Sequence, residues 1–237
     1  MRPGAADGNV TLAFRAGHTQ TAADLAVQQA DWNNFRVDTI SWPTFLKRNL
    51  IHWDLLRETV RRANGSVLEV GVGSGAQSAL LSRWVPHTLT VDNDARILRA
   101  ALGNLRRFGP RTRVMSADGF RLPFRDGSFG VSISQGLMEH FADEQIAALL
   151  REQLRVCRSA VFSVPSDRYP RQDVGNERLM PPAEWLRIVR AAVDPARHTV
   201  QARYYRGDLE SLKYSVLARR ALGSFSVLVT VDPRPGR

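Results

Sequence analysis

The 237-residue chain has a single cysteine, Cys157, so no internal disulfide can brace it. Its place beside Leu154 and Val156 in an apolar run predicts a buried thiol. Lysine is almost missing as well: Lys47 and Lys213 are the only two, and the formal charge of +10 therefore rests on arginine. Those arginines come singly or as short doublets, Arg61-Arg62, Arg106-Arg107 and Arg219-Arg220, with none of the long basic runs that track phosphates. The charge alone leaves an anionic partner open, but its scatter disfavours nucleic acid. No stretch approaches the ~20 apolar residues that span a bilayer. The first residues lack the apolar core of a secretory signal, so a cytoplasmic location is expected, with no membrane partner. No repeat or low-complexity segment is visible, and no metal site is assigned.

What is present is an ordinary globular composition, 43% hydrophobic and 24% charged, long enough for one sizeable domain. Residues 22–64 follow a helical pattern rich in aromatics, with Trp32, Phe35, Trp42, Phe45, His52 and Trp53 among them, beside the apolar Leu46 and Leu56. Pro43 is expected to break this region into at least two helices. The aromatic face either packs against the main body or closes over a ligand. After Gly65 strands alternate with helices, the pattern of a parallel sheet built from βαβ units. Strands are predicted at 66–70, 89–91, 113–115, 129–134, 160–164, 199–205 and 225–231. Helices are predicted through Leu80 and Leu81, over 94–107 and 143–155, around Trp185, and over 209–219. Asp143, just before Glu144 and an apolar run, is expected to cap its helix.

The turn after the first strand, Gly71-Val72-Gly73-Ser74-Gly75-Ala76, fits both a dinucleotide fingerprint and the glycine turn of S-adenosylmethionine (SAM) enzymes. Carboxylates at the following strand ends separate the two. Glu69 precedes the glycines, Asp92 closes the second strand and Asp118 follows the third. A dinucleotide brings a pyrophosphate, whereas SAM brings a sulfonium, an ammonium, a ribose diol and an adenine amine, which three carboxylates suit better. Asp92 can accept from ribose hydroxyls in either ligand. Asp118 can accept from an adenine amine and has no duty in the dinucleotide fingerprint.

Four motifs in order carry a resemblance. They are Val67-Leu68-Glu69-Val70-Gly71-Val72-Gly73-Ser74-Gly75, Val91-Asp92-Asn93-Asp94, the run from Ala117-Asp118-Gly119-Phe120 to Gly127-Ser128-Phe129, and Ser134-Gln135-Gly136-Leu137-Met138-Glu139-His140-Phe141. Together, over about residues 66–190, they resemble the class I SAM-dependent methyltransferases of the small-molecule and ubiquinone-biosynthesis type. The resemblance implies an α/β fold, a doubly wound, seven-stranded, mostly parallel Rossmann-like sheet. Residues 1–21 would be a flexible tail, 22–64 an N-terminal helical lid and 65–237 the SAM-binding domain. It also implies that Glu69, Gly71, Gly73 and Gly75 hold the methionine part of SAM, with Gln135 nearby, Asp92 and Asn93 the ribose, and Asp118, Gly119 and Phe120 the adenine. Where the family usually has Asp after the phenylalanine of the fourth strand, this chain has Gly130, a position expected to bear on how that strand starts.

The expected reaction is methyl transfer to an O, N or C nucleophile of a small molecule, by family analogy a specialised metabolite; RNA or protein acceptors, a nicotinamide-dependent reductase and a non-catalytic binding module are the alternatives. His140, just beyond the fourth strand, is the candidate proton acceptor, oriented by Glu139 or else simply packing the loop. Acceptor contacts are expected from the aromatic helices and from the loop 165–182, where Asp167, Arg168, Tyr169, Asn176, Glu177 and Arg178 stand out.

Overall fold

Val67 and Leu68 are neighbours in the first strand, yet they belong to different cores, because successive side chains of a strand leave opposite faces. That alternation, repeated across seven strands, requires helices on both sides of the sheet. The computed structural model describes residues 37–170, 172, 176–205 and 224–235. The tail expected at 1–21, Trp32 and Phe35, and the helix expected over 209–219 lie outside these described residues.

The strands are β1 (Ser66–Val70), β2 (His87–Asp92), β3 (Arg113–Ser116), β4 (Phe129–Gln135), β5 (Cys157–Pro165), β6 (His198–Tyr204) and β7 (Ser226–Pro233). They form one sheet in the order β3-β2-β1-β4-β5-β7-β6. The first five are parallel, and β7 runs antiparallel to both β5 and β6. The order reverses between β1 and β4, which opens a crevice at the carboxyl ends of those strands where doubly wound sheets bind ligands.

The helices are α1 (Trp42–Ile51), α2 (Trp53–Arg62), α3 (Ala76–Leu81), α4 (Ala95–Phe108), α5 (Asp143–Val156) and α6 (Pro182–Ala192). One face of the sheet is covered by α5 and α6, with Trp185 fully buried against Phe162. The other is covered by α2, whose Leu55 and Leu56 meet Val67, Val131, Ile133 and Val161. On that side Phe45 of α1 stacks on Phe108 of α4, ring centroids 4.5 Å apart. Arg62 ties α2 to β7 through two parallel hydrogen bonds to Asp232, 2.6 and 2.8 Å long. No helix among the described residues is long and apolar enough to cross a membrane.

Pro43 does not break a helix; it sits in the first turn of α1, where its missing N–H costs no bond, behind the Ser41 cap. The break falls instead at His52, between α1 and α2. Asp143 is likewise not a cap. The cap position is Ala142, whose N–H donates to Gln145 Oε1 at 3.0 Å, and Asp143 in the first turn binds Arg178 and Arg187. At Gly130, a Cβ would lie 1.9 Å from the Ala63 carbonyl oxygen, so glycine lets the end of α2 press against the start of β4. The strand begins at Phe129 as the sequence predicts. Cys157 is buried, and burial pushes its thiol pKa up.

Candidate active site

The site is built where β1, β2, β3 and β4 end. After Val70 the chain turns through Gly71, Gly73 and Gly75, with φ of 82°, 47° and 73°, left-handed values that side chains other than glycine's rarely adopt. Gly73 faces open space where an added Cβ would meet nothing within 4 Å. Gly75 caps α3, and a Cβ there would stand 2.9 Å from Leu105 Cγ.

Asp92 holds this turn in place. Its Oδ2 accepts from the Val72 N–H at 3.1 Å and its Oδ1 from the Asp94 N–H at 2.9 Å, so one carboxylate links the glycine turn to the end of β2. Burial raises its pKa against the pull of those bonds. Glu69 shares the sheet face of Val67 by the period of two and points toward α3. There its Oε2 accepts from Ser78 Oγ in a short bond and from Thr90 Oγ1 at 3.2 Å. Its pKa is pushed up to about 7, burial outweighing the two hydroxyls. Asp118 accepts from the Phe120 N–H at 2.9 Å, which shapes the turn that carries the half-exposed Phe120 ring.

A cleft of about 880 Å³ runs along these strand ends, within the range of small-ligand sites. It brings together Glu69, Gly71, Gly73, Asp92, Asn93, Asp118, Gly119, Phe120, Gln135 and His140. Gly75 is the exception among the expected residues: it does not line the cleft, and its place is steric, under Leu105.

Beyond β4 a single 3₁₀ turn, Met138–His140, buries all three of its side chains. His140 Nδ1 lies 2.7 Å from Asn176 Oδ1, an amide oxygen that accepts, so this bond leaves Nε2 as the other ring nitrogen. That Nε2 is 4.0 Å from Glu139 Oε1. Glu139 is 2% exposed, lines the cleft, and its Oε2 has no hydrogen-bond partner. Its pKa is pushed up to about 8, chiefly by burial and further by the charge of Glu177.

The loop candidates divide. Tyr169 and Glu177 line the cleft and Asn176 reaches His140. Asp167 and Arg168 instead engage Tyr204, and Arg178 pins the loop to Asp143 and the Phe141 carbonyl. The exposed Trp42 and Trp53 are not among the lining residues; from α1 and its junction with α2, Arg48 and His52 are. His52 Nδ1 is 3.3 Å from Tyr205 Oη, which donates to Ser163 Oγ at 2.6 Å, and burial together with Arg48 lowers the His52 pKa to about 4. Nothing in the local sequence pairs His52 with Tyr205, 153 positions away.

Comparison with known proteins agrees with this geometry. Residues 67–160 match a family described as methyltransferase domain. A demethylmenaquinone methyltransferase of Roseiflexus sp. strain RS-1 is 31% identical over 127 residues, covering 49% of this chain and 52% of the relative. A protein-L-isoaspartate O-methyltransferase of Bradyrhizobium sp. strain ORS 278 is 28% identical over 125 residues, 48% of this chain and 58% of its own. The chain thus spans about half the length of the curated relatives it matches. Among solved structures, a SAM-dependent methyltransferase from Aquifex aeolicus superposes with a TM-score of 0.58 at 14% identity, over 81% of this chain and 98% of that one. The fold is that of the class I SAM-dependent methyltransferases.

Proposed function

We propose that this protein transfers a methyl group from SAM to an O, N or C nucleophile of a small molecule. The observation that carries this is one continuous cleft holding the glycine turn, Asp92 and Asp118 at the successive ends of β1, β2 and β3, and then His140 and Glu139 after β4. The residues fit SAM: a turn without side chains leaves room for a ligand at Gly73, and carboxylates meet a cofactor that carries two positive centres. Glu69 and the glycine turn would hold the methionine part with Gln135, Asp92 and Asn93 the ribose, and Asp118, Gly119 and Phe120 the adenine.

When bound, SAM supplies an already activated methyl group, so the protein's work is to align the acceptor, exclude water and remove a proton where one must leave. His140 is placed for the last task, since it lines the cleft just beyond β4 with its Nδ1 held 2.7 Å from Asn176 Oδ1. The described part of the segment 22–64 would help to close the cleft through Arg48 and His52. A small acceptor suits an acid-lined cleft better than RNA does, because a nucleic-acid site needs cations along the backbone's path.

Calorimetry with SAM, S-adenosylhomocysteine, NAD and NADP tests the cofactor. Binding of the first two and not the last pair is expected, together with release of labelled S-adenosylhomocysteine on turnover. Binding of NAD(P) alone would overturn the assignment. Labelling of RNA or of proteins, with no labelled small product, would instead favour a macromolecular acceptor.

A further inference from the structure

The charge of the cleft is opposite to that of the chain. The protein carries a formal +10, yet among the described residues the cleft is lined by Glu69, Asp92, Asp94, Asp118, Glu139 and Glu177 against Arg48 and Arg96, and Arg96 is already paired with Asp94 at 2.7 Å. Four of those carboxylates stand at the ends of β1 and β2 and after β3, where SAM is placed by the function proposed above. Glu139 and Glu177 stand elsewhere, on the 3₁₀ turn after β4 and on the segment before α6, beside His140.

Glu139 is the anomaly. A carboxyl 2% exposed normally has its oxygens satisfied, because an unpaired buried polar atom forfeits its hydration without return. Here Oε2 has no hydrogen-bond partner, Oε1 lies 4.0 Å from His140 Nε2, and a second carboxylate, that of Glu177, lies close enough to oppose its ionisation. Such a site is completed by a donor that carries positive charge. Tyr169, on the loop that leads to Glu177, lines the same cleft and offers an aromatic ring, a surface that attracts organic cations.

We propose that the methyl acceptor is an amine bound as its ammonium by Glu139, which makes the protein an N-methyltransferase. This rests on the SAM assignment above. The ammonium N–H donates to the Glu139 carboxylate, and Glu177 adds to the negative potential. One proton then passes from nitrogen to His140 Nε2, leaving a neutral amine whose lone pair forms the N–C bond to the methyl carbon. The C–S bond breaks with its electron pair remaining on sulfur, and the methylated nitrogen keeps the positive charge. A raised carboxyl pKa suits this task, since the group gains most from a cation and the ion pair forms only when one arrives.

The test measures binding to the protein saturated with S-adenosylhomocysteine, so that the cofactor's own ammonium subsite is filled. Benzylammonium, benzyl alcohol and benzoate share one ring and differ in charge, and NMR titration compares them on the parent, Glu139→Gln and Glu177→Gln. Benzylammonium is expected to bind at least about tenfold more tightly than the other two, the worth of one charge-assisted hydrogen bond, with the preference lost in Glu139→Gln and reduced in Glu177→Gln. The amide variant keeps shape and hydrogen-bonding capacity, and retained S-adenosylhomocysteine binding shows that it is folded. Equal binding of the alcohol, absence of ammonium binding at the highest soluble concentration, or a preference that survives Glu139→Gln would each overturn the amine assignment while leaving the SAM assignment standing. Failure of the parent to bind S-adenosylhomocysteine would overturn both.

Discussion

At the scale of single residues, the site is a set of carboxylates with different duties. Asp92 already spends one lone pair of each oxygen on a backbone N–H, at 3.1 and 2.9 Å, which leaves the remaining pairs for a ribose diol. Asp92→Ala is therefore expected to weaken SAM binding by at least about tenfold, from lost charge-assisted hydrogen bonds and from release of the Val72 turn. Calorimetry checks this, and an unchanged affinity would move the ribose elsewhere. His140 has a different signature. His140→Gln should bind SAM like the parent but lower the single-turnover rate by at least about 100-fold, as loss of a general base does. A rate that does not change would leave His140 as a packing residue of the 3₁₀ turn, held by Asn176.

At the scale of elements, the fold depends on close approaches that side chains would forbid. The end of α2 presses its Ala63 carbonyl to within 1.9 Å of where a Cβ on Gly130 would stand, while the Gly130 N–H donates to Ser66 Oγ at 2.9 Å. Backbone meets backbone here, so neither side can yield by changing a rotamer. Gly130→Ala is expected to cost about 1–3 kcal/mol by overpacking, which for a chain of this size lowers Tm by roughly 3–10 °C. A melting curve that coincides with the parent's would show that α2 can shift without loss. Proline begins α1 at no cost, and the chain then turns at His52 so that α2 can lie on the sheet.

At the scale of the whole molecule, many arginines work as struts. Arg62 joins α2 to β7, Arg203 reaches Asp54 at 2.7 Å, Arg155 binds Glu152 and Asp126, and Arg178 and Arg187 share Asp143. The buried acids set the pH dependence of stability. Glu69 and Glu139 have folded pKa values of about 7 and about 8, above the ordinary 4.5, so the folded state binds more protons than the unfolded chain between those limits. Their contribution is fully present below about pH 4.5 and is lost as pH rises through 7 and 8. Glu139→Gln removes its share of that loss. The variant should gain Tm relative to the parent as pH goes from 5 to about 8, and then hold a constant lead. A Tm difference that does not vary with pH would mean that Glu139 ionises in the fold as it does in the unfolded chain.

Features set by short-range periodicity and spacing are legible in the chain without its tertiary structure. Seven strands came out in order because alternation and glycine punctuation are local, and the residues of the glycine turn, Asp92, Asp118 and His140 were legible because doubly wound sheets bring their strand ends to one edge. Element ends moved by a few residues, as in β5, which starts at Cys157 without a loop because α5 ends directly in extended backbone. Tertiary structure alone decided the rest. Gly75 is under Leu105 rather than in the cleft, Asp143 binds arginines from α6 and the segment before it rather than capping, and His52 meets Tyr205 across 153 residues. Glu139 shows the reason most clearly: its neighbours in sequence say only that it follows a strand. Its burial, its unpartnered oxygen and the opposing Glu177 arise from segments that meet only when the sheet is assembled.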